Sequence, residues 1–270
     1  MKLGHIDYLN CYPFFPHMFE KKPVAGVRVI SDYPSTLNRM MVDSDLDMSA
    51  ISAAVCAQLE GDIVLLPQFC LSSVGWVGSV ILVSKVPIEQ LSQKKVALTS
   101  ASDTSVVLLK TLLKKYYRVE PEYMTAPPMP ELEGIHAALM IGNEAMIYKP
   151  DPDLRVYDLG EIWLRETGFP VVFAVFAVRK SIIGKYSSET RAVVGSFHQS
   201  MLCLEKEKES LISKARERYP DIEYDIDRYF SGLEFGFTDD LKRALDFYLS
   251  TAAELGLLKR VSQLEYSAFD

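Results

Sequence analysis

Short apolar runs alternate along this chain with longer stretches of helical period, and the junctions between them carry Ser, Thr, Asn or Gly. Strand-like runs are predicted at 2–8, 27–31, 79–84, 95–99, 137–141 and 171–178. Helical periodicity predicts helices over 35–42, 103–117, 144–148, 189–219 and 239–257. The last opens at Thr238, whose hydroxyl can cap the first turn, and sets Asp239 and Asp240 at the positive end of the helix dipole. Its Leu241, Ala244, Leu245, Tyr248 and Leu249 share one face, as a core-facing helix requires. Alternation of this kind is the pattern of an α/β fold with mainly parallel sheets. The junctions Tyr8-Leu9-Asn10, Ser31 to Ser35, Met48-Ser49, Thr99 to Ser105 and Ile141-Gly142-Asn143 then fall where strands end and helices begin. Such ends converge on the ligand crevice, where free N–H groups and hydroxyls hold anions, so a small carboxylate is the expected ligand.

Two boundaries, at Lys85-Val86-Pro87 and Arg179-Lys180, each follow a strongly β-forming run and bracket a strand–helix–strand–helix unit. The expected architecture is therefore a discontinuous lobe, 1–85 plus 180–270, with a second α/β lobe inserted as 86–179 and a cleft between them. Two chain crossings would act as the hinge. Pro127-Pro128-Met129-Pro130 reads as a stiff surface loop, because strand-like sequence follows it.

The 270 residues are 49% hydrophobic and 24% charged, ordinary for a soluble globular protein. A net charge of −7, with Lys114, Lys115 and Arg118 as the nearest approach to a basic run, argues against a nucleic-acid partner. His5 and Asp7 interrupt what a secretory signal would need as an apolar core, and no run is long enough to insert in a membrane, so a cytoplasmic location is expected. The four cysteines, Cys11, Cys56, Cys70 and Cys203, form no C-x-x-C pair and read as small buried hydrophobes or a stray thiol. His17, His136 and His198 have no spacing that suggests a metal site.

Tyr8-Leu9-Asn10 with Pro13, Pro34-Ser35-Thr36-Leu37-Asn38, and Leu46-Asp47 with Ile51-Ser52 resemble the chorismate dehydratases of the futalosine route to menaquinone. So do Ser73-x-Gly75-x-Val77-x-Ser79, Thr99-x-x-Ser102-x-Thr104-Ser105, Ile141-Gly142-Asn143-Glu144-Ala145, Tyr157-Asp158-Leu159-Gly160 with Trp163, and Thr167-Gly168-Phe169-Pro170 with Val172-Phe173-Ala174. The matches run in family order from about residue 3 to residue 179. The resemblance implies a two-lobed fold like the type 2 periplasmic binding proteins, used as an enzyme. It also implies conversion of chorismate to 3-[(1-carboxyvinyl)oxy]benzoate and water, with no metal or organic cofactor. Asp7, His136 and Asn143 depart from the family pattern, which bears on the detail near the substrate.

On this reading Asn10, after the first strand, is the expected catalytic residue; an Asx-turn is its competing role. Ser102, Thr104 and Ser105 open a helix and are expected to meet one substrate carboxylate, with one of the three serving as the helix cap. Gly142 and Asn143 open another helix, whose N–H groups would hold the second carboxylate, although Gly142 also suits a tight turn. Ser35, Ser79 and Phe173 complete the expected substrate contacts, each with a structural alternative: helix start, strand-end backbone bond and core aromatic. His5 and Asp7 share a strand face and form either a base with its orienter or a satisfied structural pair. The resemblance also allows the enolpyruvyl carboxylate of the substrate to take the proton, and this is the leading mechanism. Two other functions remain on the sequence: a cytosolic carboxylate sensor on the same two lobes, and the sibling 1,4-dihydroxy-6-naphthoate synthase. Oligomeric state is open.

Overall fold

The computed structural model describes residues 1–269. Two mixed sheets form the frame. The first runs β11-β4-β10-β3-β1-β2 and the second β7-β6-β8-β5-β9. The strands of the first are β1 (Lys2–Ile6), β2 (Arg28–Asp32), β3 (Met48–Ser52), β4 (Ile63–Ser73), β10 (Val171–Arg179) and β11 (Leu233–Gly236). Those of the second are β5 (Val80–Ser84), β6 (Lys95–Thr99), β7 (Glu122–Ala126), β8 (Ala137–Ile141) and β9 (Arg155–Asp158). The helices are α1 (Pro34–Val42), α2 (Cys56–Leu59), α3 (Thr104–Thr111), α4 (Gly142–Ile147), α5 (Leu159–Thr167), α6 (Ser187–Lys206), α7 (Lys208–Arg218), α8 (Ile226–Ser231) and α9 (Asp239–Glu254).

The sheets are mixed rather than mainly parallel. β1 pairs in parallel with β2 and β3, and β6 with β7 and β8, but β10 runs antiparallel to both β3 and β4, and β5 antiparallel to both β8 and β9. These reversed strands are the ones nearest the expected boundaries. β5 belongs to the second sheet and β10 to the first, so sheet membership divides the chain near 74–79 and 159–170 rather than at 85/86 and 179/180. β10 reads as a continuous apolar run because every residue of it is buried.

Local chemistry fixes the helices that flank the cleft. Pro34 starts α1, where its missing N–H is no loss. Asp158 caps α5 by accepting from the Gly160 and Glu161 N–H groups, and Gly168, at φ 74°, closes that helix in the left-handed region. α9 matches its sequence pattern: Thr238 accepts from the Leu241 N–H, and the predicted face is buried. The long helix predicted over 189–219 is two helices that meet at Glu207. The five charged residues Glu205 to Glu209 offer no apolar contact to hold one axis, and α7 turns to pack against α8. Helix 103–117 is α3 followed by a π-helical turn over Leu112–Tyr117. One apolar cluster contains side chains of both sheets, including Leu3, Ile51, Leu82, Leu98, Leu139 and Val175, with Tyr248 of α9.

Candidate functional site

A cavity lies where strand ends of both sheets meet the starts of α1, α3 and α4. Ile6, Tyr8, Asn10, Cys11, Pro34 and Ser52 line it from the first sheet and its connections, with Leu71, Phe173, Ala174 and Leu233. Val77, Ser79, Val80, Ser102, Thr104, Ser105, Ile141 and Gly142 line it from the second. The wall thus carries hydroxyls, one amide and one thiol among apolar groups, and, among the described residues, no Asp, Glu, Lys, Arg or His. Burial pushes the Cys11 thiol up to about 12, so it is neutral at physiological pH.

Six of the eight expected substrate contacts reach this wall. Ser102 Oγ accepts from the Ser105 N–H at 3.2 Å and lies 3.1 Å from Ser105 Oγ, to which it donates. Ser102 is therefore the capping hydroxyl, and the Ser105 hydroxyl keeps a proton for another acceptor. Thr104 is engaged elsewhere. Its Oγ1 donates to the Phe173 carbonyl at 2.9 Å and accepts from the Ala54 N–H at 3.2 Å. That hydroxyl is committed to tying α3 to β10, so it is unavailable to a carboxylate. Phe173 sits where the β10–β4 register slips between Val172 and Ala174, and this bulge turns its ring to the cavity.

Gly142 lies on the wall, but its N–H donates to the Ser79 carbonyl at 2.7 Å and is not free for a substrate. Its φ is +60°, and a Cβ there would lie 2.4 Å from the Tyr8 ring. Asn143 is outside the cavity; its Oδ1 accepts from the Leu9 N–H at 2.9 Å, a brace across the cleft. Ser35 is also outside, with its N–H donating to Ala101 O at 3.1 Å, while its neighbour Pro34 forms the wall. The second carboxylate therefore finds no N–H from Gly142 and no side chain of Asn143 or Ser35.

His5 and Asp7 do not form a base pair in the cavity. His5 is 1% exposed, bonded through Nδ1 to Ser31 Oγ at 2.9 Å and packed on the Phe15 ring edge. Burial lowers its pKa to about 4, so it is a neutral structural imidazole. Asp7 is exposed and pairs with Arg218 at 2.9 Å and Tyr219 at 2.8 Å. His136 precedes β8, at the end of that strand away from Ile141 and Gly142.

Two features at the wall were not among the expected contacts, and the first had no sequence signal. Tyr229, from α8, donates to Ser79 Oγ at 2.8 Å from outside the resemblance. Tyr8 is buried with its hydroxyl unpartnered, and Glu144 Oε2 is likewise buried and unpartnered. Burial, then the Glu144 carboxylate beside it, raises the Tyr8 phenol well above its ordinary value. Ser73-x-Gly75 is structural, with the Ser73 hydroxyl donating to the Gly75 carbonyl at 3.2 Å, and Asp158 accepts from the Val77 and Gly78 N–H groups and so pins the loop that carries Ser79.

Two sheets with the cavity between them define an α/β protein of the two-lobed periplasmic-binding-protein-like class. The chain superposes on a structural-genomics target from Archaeoglobus fulgidus with a TM-score of 0.72 at 19% identity, covering 95% of this chain and 98% of that one. It superposes on the alkanesulfonate-binding protein of Xanthomonas axonopodis pv. citri, bound to MOPS, with a TM-score of 0.70 at 11% identity, covering 96% and 94%. At these identities the likeness is one of fold. Within this class the chain belongs to the menaquinone biosynthesis family, whose model matches residues 1–254. It is 32% identical over 195 residues to the chorismate dehydratase of Thermus thermophilus, which covers 66% of this chain and 69% of that protein. It is 27% identical over 162 residues to the 1,4-dihydroxy-6-naphtoate synthase of the same organism, covering 60% and 58%. Among the described residues no helix is long and apolar enough to cross a membrane.

Proposed function

We infer that this protein is a carbon–oxygen lyase that converts chorismate to 3-[(1-carboxyvinyl)oxy]benzoate and water. The observation that carries the reading is the charge-free wall: no side chain there can act as a base near neutral pH. A dehydration in which the substrate brings its own base suits that wall. The proton on ring C3 passes to the enolpyruvyl carboxylate, and its electron pair moves into the ring toward the C1 carboxylate. The C4–O bond then breaks, the hydroxyl leaves as water with the proton that the enolpyruvyl carboxylate took from C3, and the ring becomes aromatic. Aromaticity drives the reaction forward. What the protein must supply is the conformation that holds the carboxylate against C3–H and away from competing rearrangement.

Asn10 is the residue proposed to meet the departing C4 oxygen, since its Oδ1 is buried on the wall without a partner. Ser105, whose proton is free, gives a hydroxyl for a carboxylate, Ser79 and Ser102 line the wall beside it, and Phe173 gives a flat face for the ring. The lobes are proposed to follow the two sheets, closing on the substrate at the crossings near 74–79 and 159–170. A cytoplasmic setting and a small-molecule substrate go with this reading. Family membership and the dehydratase relative support it, and the smaller match to the naphthoate synthase leaves that enzyme second.

Incubating the purified protein with chorismate, and separating products by chromatography and mass, tests the reading. Enzyme-dependent loss of one water to the enolpyruvyl benzoate is expected. Chorismate returned unchanged, with thermal stabilisation of the protein, would make it a sensor instead.

A further inference from the structure

Tyr229 lies in the C-terminal third, beyond the motifs of the sequence analysis, which end near residue 179, yet its hydroxyl bonds to a residue of the cavity wall. The side chain is 1% exposed and donates to Ser79 Oγ at 2.8 Å. Burial raises the phenol above its ordinary value despite the opposing effects of the Ser79 hydroxyl and the Asn10 amide, so it remains a protonated donor. The ring is held on two sides, by the Trp76 edge and by Tyr224. Tyr224 itself donates to the Gly78 carbonyl at 3.0 Å, fixing the residue before Ser79.

A serine hydroxyl that accepts a bond still has its own proton to place. Ser79 is 0% exposed, and its carbonyl is already taken by the Gly142 N–H at 2.7 Å. The cavity, which Ser79 lines, is the space left for that proton. On the same wall Asn10 Oδ1 is buried and accepts from nothing among the described residues. A donor and an acceptor of set polarity thus face one ligand.

We propose that Tyr229 is a positioning residue that fixes the Ser79 hydroxyl as a donor into the cavity, so that Ser79 and Asn10 together select an acceptor oxygen adjacent to an alcohol. Chorismate carries that pair as the ether oxygen on C3 and the hydroxyl on C4. The proposal rests on the dehydratase reading for its substrate, but its hydrogen-bond geometry does not. A ligand with two acceptor oxygens in those places would leave Asn10 Oδ1 unpaired, and binding would weaken accordingly.

The test is a double-mutant cycle with Tyr229→Phe and Ser79→Ala. The Tyr229→Phe change is expected to lower kcat/KM for chorismate about tenfold in the native background and by less than about twofold in the Ser79→Ala background. Equal losses in the two backgrounds, or no loss in either, would overturn the relay. A hydroxyl-proton measurement on the native protein separates this from the function itself. Proton NMR is expected to give a slowly exchanging Tyr229 hydroxyl signal with a cross-peak to the Ser79 β-protons, and that signal exchanges faster in Ser79→Ala. Its absence in the native protein refutes the relay even where chorismate is turned over. Its presence in a protein that leaves chorismate unchanged upholds the relay and refutes only the substrate.

Discussion

Replacing Gly142 by alanine adds one methyl group where two separate penalties meet. The backbone sits at φ +60°, a left-handed conformation that disfavours any Cβ by about 1–2 kcal/mol. The new Cβ would also lie 2.4 Å from the Tyr8 ring, which is buried at 5% exposure and has little room to retreat. Overpacking of this kind costs about 1–3 kcal/mol, so the combined loss is about 2–5 kcal/mol. Two other glycines separate the terms. Gly168 has φ +74° and nothing within 4 Å of a built Cβ, so Gly168→Ala should lose only the backbone part, about 1–2 kcal/mol. Gly184 has open space and no left-handed backbone, so Gly184→Ala should be neutral or gain up to about 1 kcal/mol from a less flexible unfolded chain. Urea titrations of the three variants at constant m read these differences as midpoints. A Gly142→Ala loss no larger than that of Gly168→Ala would show that Tyr8 yields freely. The cavity wall between Tyr8 and Gly142 would then not be the fixed surface described above. In the active protein the same substitution should raise KM, because the displaced ring moves toward the cavity that it lines.

Three further outcomes follow from named contacts. His5 titrates at about 4 when folded and near 6.5 when unfolded, so the unfolded chain binds more protons between those values. Stability should therefore fall by about 3 kcal/mol as pH drops from 6.5 to 4; His5→Gln, which keeps a bond to Ser31 within reach, should remove that part of the slope in urea midpoints measured across the range. Thr104→Val leaves the Phe173 carbonyl and the Ala54 N–H unpaired, which should cost about 2 kcal/mol in the same assay, while Thr104→Ser should recover most of it. Asn10→Ala should lower kcat about a hundredfold with little change in the urea midpoint, since its Oδ1 holds nothing in the resting protein.

Much of the fold is legible in the sequence because the responsible signals are local. Thr238 and the apolar face behind it define α9 from sequence alone, and the all-buried run of β10 reads as a strand whatever it pairs with. Pairing direction is not local, which is why β5 and β10 each lie in the sheet opposite to the one expected: an apolar run carries no mark of which sheet receives it. Strands such as β11, Leu233–Gly236, and the exposed edge strand β7, Glu122–Ala126, are short or polar enough to pass as loop. In the site, residue type identifies the neighbourhood but not the allocation of each hydrogen bond. Ser102 and Thr104 look alike in sequence, yet one caps a helix turn and the other joins α3 to β10. Asn143 looks like a ligand-holding residue and instead braces Leu9 across the cleft. Tyr229 carries no signal, since a lone tyrosine in a charged stretch becomes a wall partner only once α8 packs behind Ser79.

In the proposed mechanism the cavity aromatises chorismate without a base of its own. The most direct measurement is the rate of 3-[(1-carboxyvinyl)oxy]benzoate formation from chorismate at saturation, from about pH 6 to pH 9. The charge-free wall and the neutral Cys11 thiol predict product at a rate flat across that range, since the only base is a substrate carboxylate that stays ionised. Absence of product, or a rate that rises through a single ionisation near neutrality, would contradict it.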